Sequence, residues 1–413
     1  MHRNVTAGQG PGPRAIVRPA VLGLVVALAI GLGVIGGAVF VNATRPDTAA
    51  RPTASASTEP STEVTPGGPT QTPPGPTLQP SPEPTAILVP APLTGLLVSP
   101  EAAMRHPIAV MIDDHADARP QAGFNAAAIV WQAPAEGGIP RYMLIFQDQV
   151  PGDVGPVRSS REYFIEWAAE WRAMYLHAGG SPQALQTLYT YGSGRYVWNA
   201  DAFRWEERYL WRVHGDRFAP HNLFTDGAHL RELATKIGAA DGPLKPVWTF
   251  GPDLAADYRP TGGQITVTYP YEAIRYRYDA ATNTYRRYIR APEGGPFKLQ
   301  ADANGGRVAP KNVVILRMAF GPLNDGHPDK HRLEASDVGH GKAWISTNGR
   351  TIEGTWRKAS ITAPTLLFGP DGKPVTLTAG QTFVEVMPFG YGVTVRDGRF
   401  IPMTIRPTGF SAS

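Results

Sequence analysis

Residues 155–184 read GPVRSSREYFIEWAAEWRAMYLHAGGSPQA, and their pattern decides the fold class. After the polar run Arg158-Ser159-Ser160-Arg161, the apolar residues Phe164, Ile165, Ala168 and Trp171 recur at helical spacing, which predicts a helix over Arg161–Met174. Met174-Tyr-Leu-His177 then reads as a strand running into the turn Gly179-Gly180. Ser181 before Pro182 marks a second helix start, with serine as the N-cap and proline at the first helical position. Helix, strand and helix in succession predict an α/β layer.

The flanking sequence extends this reading. Upstream, Ile108-Ala-Val-Met-Ile112 predicts a buried strand closed by Asp113 and Asp114. Ala128–Trp131 predicts a second strand, and Tyr142–Phe146 a third with Arg141 at its mouth. Downstream of about residue 245 the pattern changes. Gln264–Thr268, Ile274–Tyr278, Thr284–Ile289, Asn312–Leu316, Gly341–Ile345 and Gln381–Val386 all predict strands, separated by turn signals such as Asn348-Gly349. The expected fold is an α/β (or α+β) N-terminal globular domain, residues 93–240, followed by a mainly β C-terminal domain, residues 241–408.

The front of the chain places these domains. Val21–Val41 contains no charged residue and is long enough for a membrane-spanning helix, which needs about 20 apolar residues. Arg3, Arg14 and Arg18 precede it, so the amino terminus is expected in the cytoplasm and the globular part outside. A cleaved signal peptide with a site near Val41-Asn42-Ala43 is the alternative, but its apolar core is usually only about 7–15 residues long. The expected order is a cytoplasmic tail (1–18), a transmembrane anchor (19–42) and a Pro/Ser/Thr-rich linker (43–92) with too few large apolar residues to fold.

The formal charge is +4, and residues 1–51, with five arginines and one aspartate, account for all of it. The rest holds 34 basic and 34 acidic residues, so a whole-domain basic footprint for nucleic acid is absent, which leaves room for local basic clusters alone. No cysteine is present, which excludes thiolate catalysis, disulfides and cysteine metal sites.

Four constellations carry chemistry. Arg158 and Arg161 bracket Ser159 and Ser160, and guanidinium forks with hydroxyl donors suit phosphate or carboxylate; Arg141 is a third candidate. Their structural alternative is pairing with nearby Glu162 and Glu166. His177, Gly179, Gly180 and Ser181 form the second set, in which the glycines allow close backbone approach and Ser181 is more simply an N-cap. Asp113 and Asp114, with His115, Asp117 and Glu136 nearby, offer carboxylates for Mg²⁺, or else cap a turn and pair with Arg119. His221 and Asn222 follow a Trp-, Tyr- and Arg-rich stretch that suits a carbohydrate surface or an interdomain contact.

These motifs also carry a resemblance. Leu93-Thr-Gly-Leu, Pro107–Asp113, Ala118-Arg-Pro-Gln121, Glu136-Gly-Gly, Gly155–Arg161, His177–Pro182 and Ala219-Pro-His-Asn222 resemble the YerB family of bacterial lipoproteins, a two-part domain of unknown function. The likeness spans roughly residues 92–390 and implies an outer-face location; the chain departs from it by lacking a lipidated cysteine. Gly138-Ile-Pro-Arg141, the arginine-serine run and the following His177-Ala-Gly-Gly resemble more weakly the order of elements in LytR-CpsA-Psr phosphotransferases, which implies glycan phosphotransfer with Mg²⁺. The leading expectation is a membrane-anchored envelope protein binding an anionic ligand in an arginine-rich pocket. The alternatives are a phosphotransferase-like enzyme and a non-catalytic module that binds a protein partner.

Overall fold

The computed structural model describes residues 87–399. The expected tail, anchor, most of the linker and the last residues of the C-terminal domain lie outside this range. Among the described residues no helix is long and apolar enough to cross a membrane. Regular pairing begins at Val89–Pro90, antiparallel to Leu97–Val98, inside the stretch expected as linker.

The apolar runs became strands because both of their faces are covered. In the N-terminal region these are β1 (Ile108–Asp113), β2 (Ile129–Pro134), β3 (Pro140–Phe146) and β4 (Met174–His177), joined at the edge by the half-buried β5 (Trp198–Asp201). The C-terminal region supplies β6 (Thr261–Thr268), β7 (Ala273–Asp279), β8 (Thr284–Arg290), β9 (Lys298–Leu299), β10 (Asn312–Met318), β11 (Gly339–Thr347), β12 (Arg350–Lys358), β13 (Leu366–Phe368), β14 (Thr382–Pro388) and β15 (Gly392–Arg399). The N-terminal region is thus mixed α/β and the C-terminal region mainly β.

The two regions share one ten-stranded sheet, in the order β13-β12-β11-β10-β14-β2-β3-β1-β4-β5. The join is the parallel pairing of β14 with β2, Thr382 to Glu385 against Ile129 to Gln132. A second, antiparallel sheet runs β9-β8-β7-β6-β15. Side chains alternate across a strand, and β1 shows where each set goes. Ile108, Val110 and Ile112 enter one core with Ile265, Tyr276 and Phe383. Ala109 and Met111 enter the other with Phe164, Trp167 and Leu188. Strands covered on both faces read as continuous apolar runs.

Four helices matter for the site: α1 (Glu162–Ala168), α2 (Pro182–Tyr191), α3 (Ala202–Tyr209) and α4 (Gly227–Ile237). The helix expected over Arg161–Met174 is shorter than its pattern. It becomes a 3₁₀ turn at Ala169–Trp171 and ends at Arg172, whose φ is +49°. Arg172 donates Nε and Nη2 to the Gly194 carbonyl at 2.8 and 2.6 Å, which holds the chain in that reversal so that β4 starts at once. Trp131 of β2 stacks on Trp167 of α1, ring centroids 4.7 Å apart, and this ties the helix to the sheet.

Helix α1 also carries a pH-sensitive contact. Burial, the hydrogen bond to Asp337 and that second carboxylate push the Glu166 carboxyl up to about 9. An acid raised on folding adds stability below its ordinary value of 4.5 and loses it as pH climbs through the folded value. Glu166→Gln is therefore expected to unfold at a higher temperature than wild type at pH 8–9 and at nearly the same temperature near pH 5. Melting curves at the two pH values check this.

Candidate functional site

The Arg-Ser-Ser-Arg run and the Gly-Gly-Ser turn lie side by side. The Arg158 carbonyl accepts from Ala178 N at 3.0 Å, Ser160 N donates to the Gly179 carbonyl at 2.8 Å, and Ser181 N donates to the Ser160 carbonyl at 3.3 Å. The approach is close enough that a Cβ on Gly180 would lie 3.3 Å from the Ser160 Cβ. Gly179 has φ +68°, the left-handed region that favours glycine. Arg158 N donates to the Met111 carbonyl, which fixes the run beside the end of β1.

Three guanidinium groups meet two carboxylates there. Arg161 forms a two-point pair with Glu136, Nε to Oε1 at 2.5 Å and Nη2 to Oε2, and its Nη1 donates to Ser159 Oγ at 3.2 Å. Arg158 Nε lies 3.1 Å from Asp113 Oδ2, an ion pair without an aligned hydrogen bond. Arg141 faces Asp113 in the β1–β3 register, but its nearest carboxylate contact is Glu136 at 3.8 Å. The Arg141 residue is 9% exposed, and its Nε has no hydrogen-bond partner among the described residues. Burial and the like charge of Arg161 lower its guanidinium to about 10, with Arg158 adding to the shift. The carboxyl of Glu136 is held below its usual range by Arg161 and Arg141, against the opposing effect of burial.

The remaining predicted residues divide between structural tasks and this cluster. Ser160 is fully buried with its hydroxyl 2.8 Å from Tyr175 Oη. His177 is fully buried between the Gly179 carbonyl and Asn199 Oδ1, both at 2.8 Å. Ser181 caps α2, accepting from Ala184 N. Asn222 braces a two-strand turn, accepting from Arg212 and donating to the Val213 carbonyl at 2.9 Å. His221 reaches Asp113, Nδ1 to Oδ2 at 2.7 Å.

Asp113 and Asp114 part company, as neighbours at a strand end do. Asp114 is buried on the other face, with Arg119 Nη2 and Gln132 Nε2 both at 2.8 Å. Burial and neighbouring Glu272 raise its carboxyl well above the ordinary value. Arg119 also pairs with Glu272, and Gln132 donates to Glu272 at 3.0 Å. The same layer contains Arg287, fully buried, which donates to Gln132, Gln300 and Tyr276 and lies 3.5 Å from Glu385. Next to Arg119 and Gln121 a cleft of about 370 Å³ opens, lined also by Lys298, Leu299 and Gln300.

The structural alternative of pairing with Glu162 and Glu166 does not hold for Arg161. Its carboxylate is Glu136, whereas Glu162 accepts from Thr187 Oγ1 at 2.7 Å and Glu166 faces Asp337. The Glu136-Gly137-Gly138 turn held a usable signal, because Gly137 and Gly138 both have positive φ and turn the chain back into β3 beside Arg141.

Known proteins share this architecture. The N-terminal domain of the "Protein of unknown function (DUF3048)" family matches residues 93–240, and its C-terminal domain matches residues 265–384. A curated relative from Bacillus subtilis (strain 168), named "Putative lipoprotein YerB", is 30% identical over 306 residues, which is 72% of this chain and 85% of the relative. The crystal structure of YerB protein from Bacillus subtilis superposes with a TM-score of 0.64 at 25% identity, covering 74% of this chain and 99% of that one.

Proposed function

Starting from the fact that the chain belongs to the DUF3048 family and is similar to YerB, we propose that it is an envelope protein that binds an anionic, phosphate- or carboxylate-bearing ligand at Arg141, Arg158 and Arg161. Its location is the outer face of the membrane. Support for that placement comes from the uncharged run Val21–Val41, the arginines before it and the lipoprotein name of the relative.

The observation that carries the reading is Arg141. Three guanidinium groups against two carboxylates leave one positive charge in excess, and Arg141 is the group farthest from a carboxylate, 3.8 Å from Glu136, with no hydrogen-bond partner for its Nε among the described residues. A buried charge that lacks a hydrogen-bonded partner costs several kcal/mol or shifts its protonation. An anion supplying two oxygens to that fork would remove the excess and satisfy Nε. Arg158, with a side chain 27% exposed, is the part of the cluster that a ligand meets first.

Such a charge makes the free protein less stable than it need be, which gives the test. In thermal unfolding of the full chain, pyrophosphate, inorganic phosphate or a short dicarboxylate should raise the midpoint by mass action. Arg141→Met should raise the midpoint without ligand, by about 1–2 kcal/mol in stability, since an apolar group replaces a poorly paired ion. The same variant should lose the anion response. An Arg141→Met chain that is less stable than wild type, or that still responds fully to anions, would sink the reading.

A further inference from the structure

Beyond the arginine cluster, we propose that His115, Asp117 and His221 form a binding site for a divalent transition metal of the zinc type, with Asp113 orienting His221. Each of the three residues offers one donor atom, and these atoms lie within 4.8 Å of one another. Donors at about 2.0–2.1 Å from a tetrahedral ion sit about 3.4 Å apart, so the set must close by little more than 1 Å. The required freedom exists, because the side chains of His115 and Asp117 are 32% and 72% exposed.

Backbone structure brings the donors together. His115 caps the 3₁₀ turn Ala116–Ala118, and its own N–H is tied to Asp113 Oδ1 at 3.1 Å. Asp117 sits in that turn, 3.4 Å from His115 Nδ1. His221 arrives from the turn after Phe218, more than a hundred residues later, and its ring stacks on His115 with centroids 4.6 Å apart and planes 18° from parallel. Tyr271 also stacks on His115, ring centroids 5.9 Å apart.

Asp113 makes this more than a surface cluster. Its Oδ2 lies 2.7 Å from His221 Nδ1, and a carboxylate oxygen there accepts, so Nδ1 carries the hydrogen and Nε2 is the atom free to meet a metal ion. A carboxylate behind a histidine is the arrangement that fixes tautomer and ring orientation in metal sites. Two imidazoles and one carboxylate suit zinc, cobalt or nickel, whereas magnesium prefers oxygen ligands alone. Three protein ligands would leave a coordination position open to water or to a ligand atom. The divalent cation expected at Asp113 and Asp114 is thereby reassigned: Asp113 acts behind the ligands, and Asp114 is enclosed by Arg119, Gln121 and Gln132.

Calorimetric titration of the chelator-treated full chain with Zn²⁺ tests this, with Co²⁺ titrated in parallel for its visible absorption. One ion should bind per chain. His115→Ala and His221→Ala should each weaken binding at least 100-fold, and Asp113→Asn by about 10–100-fold with the ligands intact. Asp117→Ala, at an exposed position that cannot endanger folding, should weaken it as well and change the Co²⁺ spectrum. Absence of binding to wild type at millimolar Zn²⁺, or a one-site isotherm unaltered in Asp117→Ala and in folded His115→Ala, overturns the proposal.

Discussion

Arg287→Ala is expected to cost about 3–5 kcal/mol of stability, the usual consequence of removing one partner from a buried ion pair. The guanidinium is fully buried between the two sheets. It donates to Tyr276 Oη at 2.9 Å and to the side-chain oxygens of Gln132 and Gln300, and lies 3.5 Å from Glu385 Oε1. Its plane is also within 5.3–5.6 Å of the rings of Tyr142, Tyr276 and Phe383. Alanine would leave a cavity, two amide oxygens without donors, and a fully buried carboxylate with only the hydroxyls of Tyr269 and Tyr276, at 2.8 and 2.5 Å. Burial already raises the Glu385 carboxyl, and loss of Arg287 removes the largest of the influences that oppose the rise, so the carboxyl would be pushed up further in the variant. The midpoint of thermal unfolding should fall by roughly 5–15 °C. Adding Glu385→Gln should recover part of the loss, because the remaining amide needs no counter-charge. A double-mutant cycle measures that coupling, and strict additivity of the two changes would show that the pair is not energetically linked.

This layer explains what the sequence could and could not reveal. Strands β1 and β3 were legible because both of their faces are covered, which left continuous apolar runs to read. The cap of α2 was legible because Ser181 and Pro182 act locally, within one turn. The end of α1 was not, because the left-handed turn at Arg172 depends on the Gly194 carbonyl. Arg161 has acids close by in sequence, yet its partner comes from 25 residues earlier, across a turn whose direction only the glycines hint at. Arg287 and Gln132 are 155 residues apart, so no local window contains their contact. The change from mixed to mainly β pattern near residue 245 is real, yet the shared sheet follows from the pairing of β14 with β2, a parallel contact with no turn to announce it. The metal-type cluster was half visible: His115 and Asp117 stand next to the acids that drew notice, while His221 reaches them only through the fold.

The join between the regions predicts a second large effect. Lys358→Met should destabilise the chain by about 3–5 kcal/mol at neutral pH, and by clearly less in acid. Lys358, at the end of β12, is 1% exposed and its Nζ is 3.0 Å from Glu170 Oε1. Its other contacts are the carbonyls of Ala363, Ile361 and Glu166, at 2.7, 2.8 and 3.3 Å. Glu170 follows α1 and also accepts from Thr365 N at 2.9 Å and Thr365 Oγ1 at 2.6 Å. One ammonium therefore ties the N-terminal helix to a C-terminal strand. Methionine fills similar volume, so little of the loss comes from a cavity. It comes from a fully enclosed carboxylate without its cation and from carbonyls without a donor. Burial already raises the Glu170 carboxyl, with Lys358 opposing, and the substitution would raise it further. An acid raised on folding contributes stability that is present below its unfolded value and fades as pH climbs through the folded one. The gap between variant and wild type should therefore be small near pH 4 and widen toward pH 8. Urea unfolding at the two pH values reads this directly, and Lys358→Met/Glu170→Gln should close most of the gap at pH 8. A gap of constant size would assign the loss to packing and the carbonyls, with the Glu170 charge uninvolved.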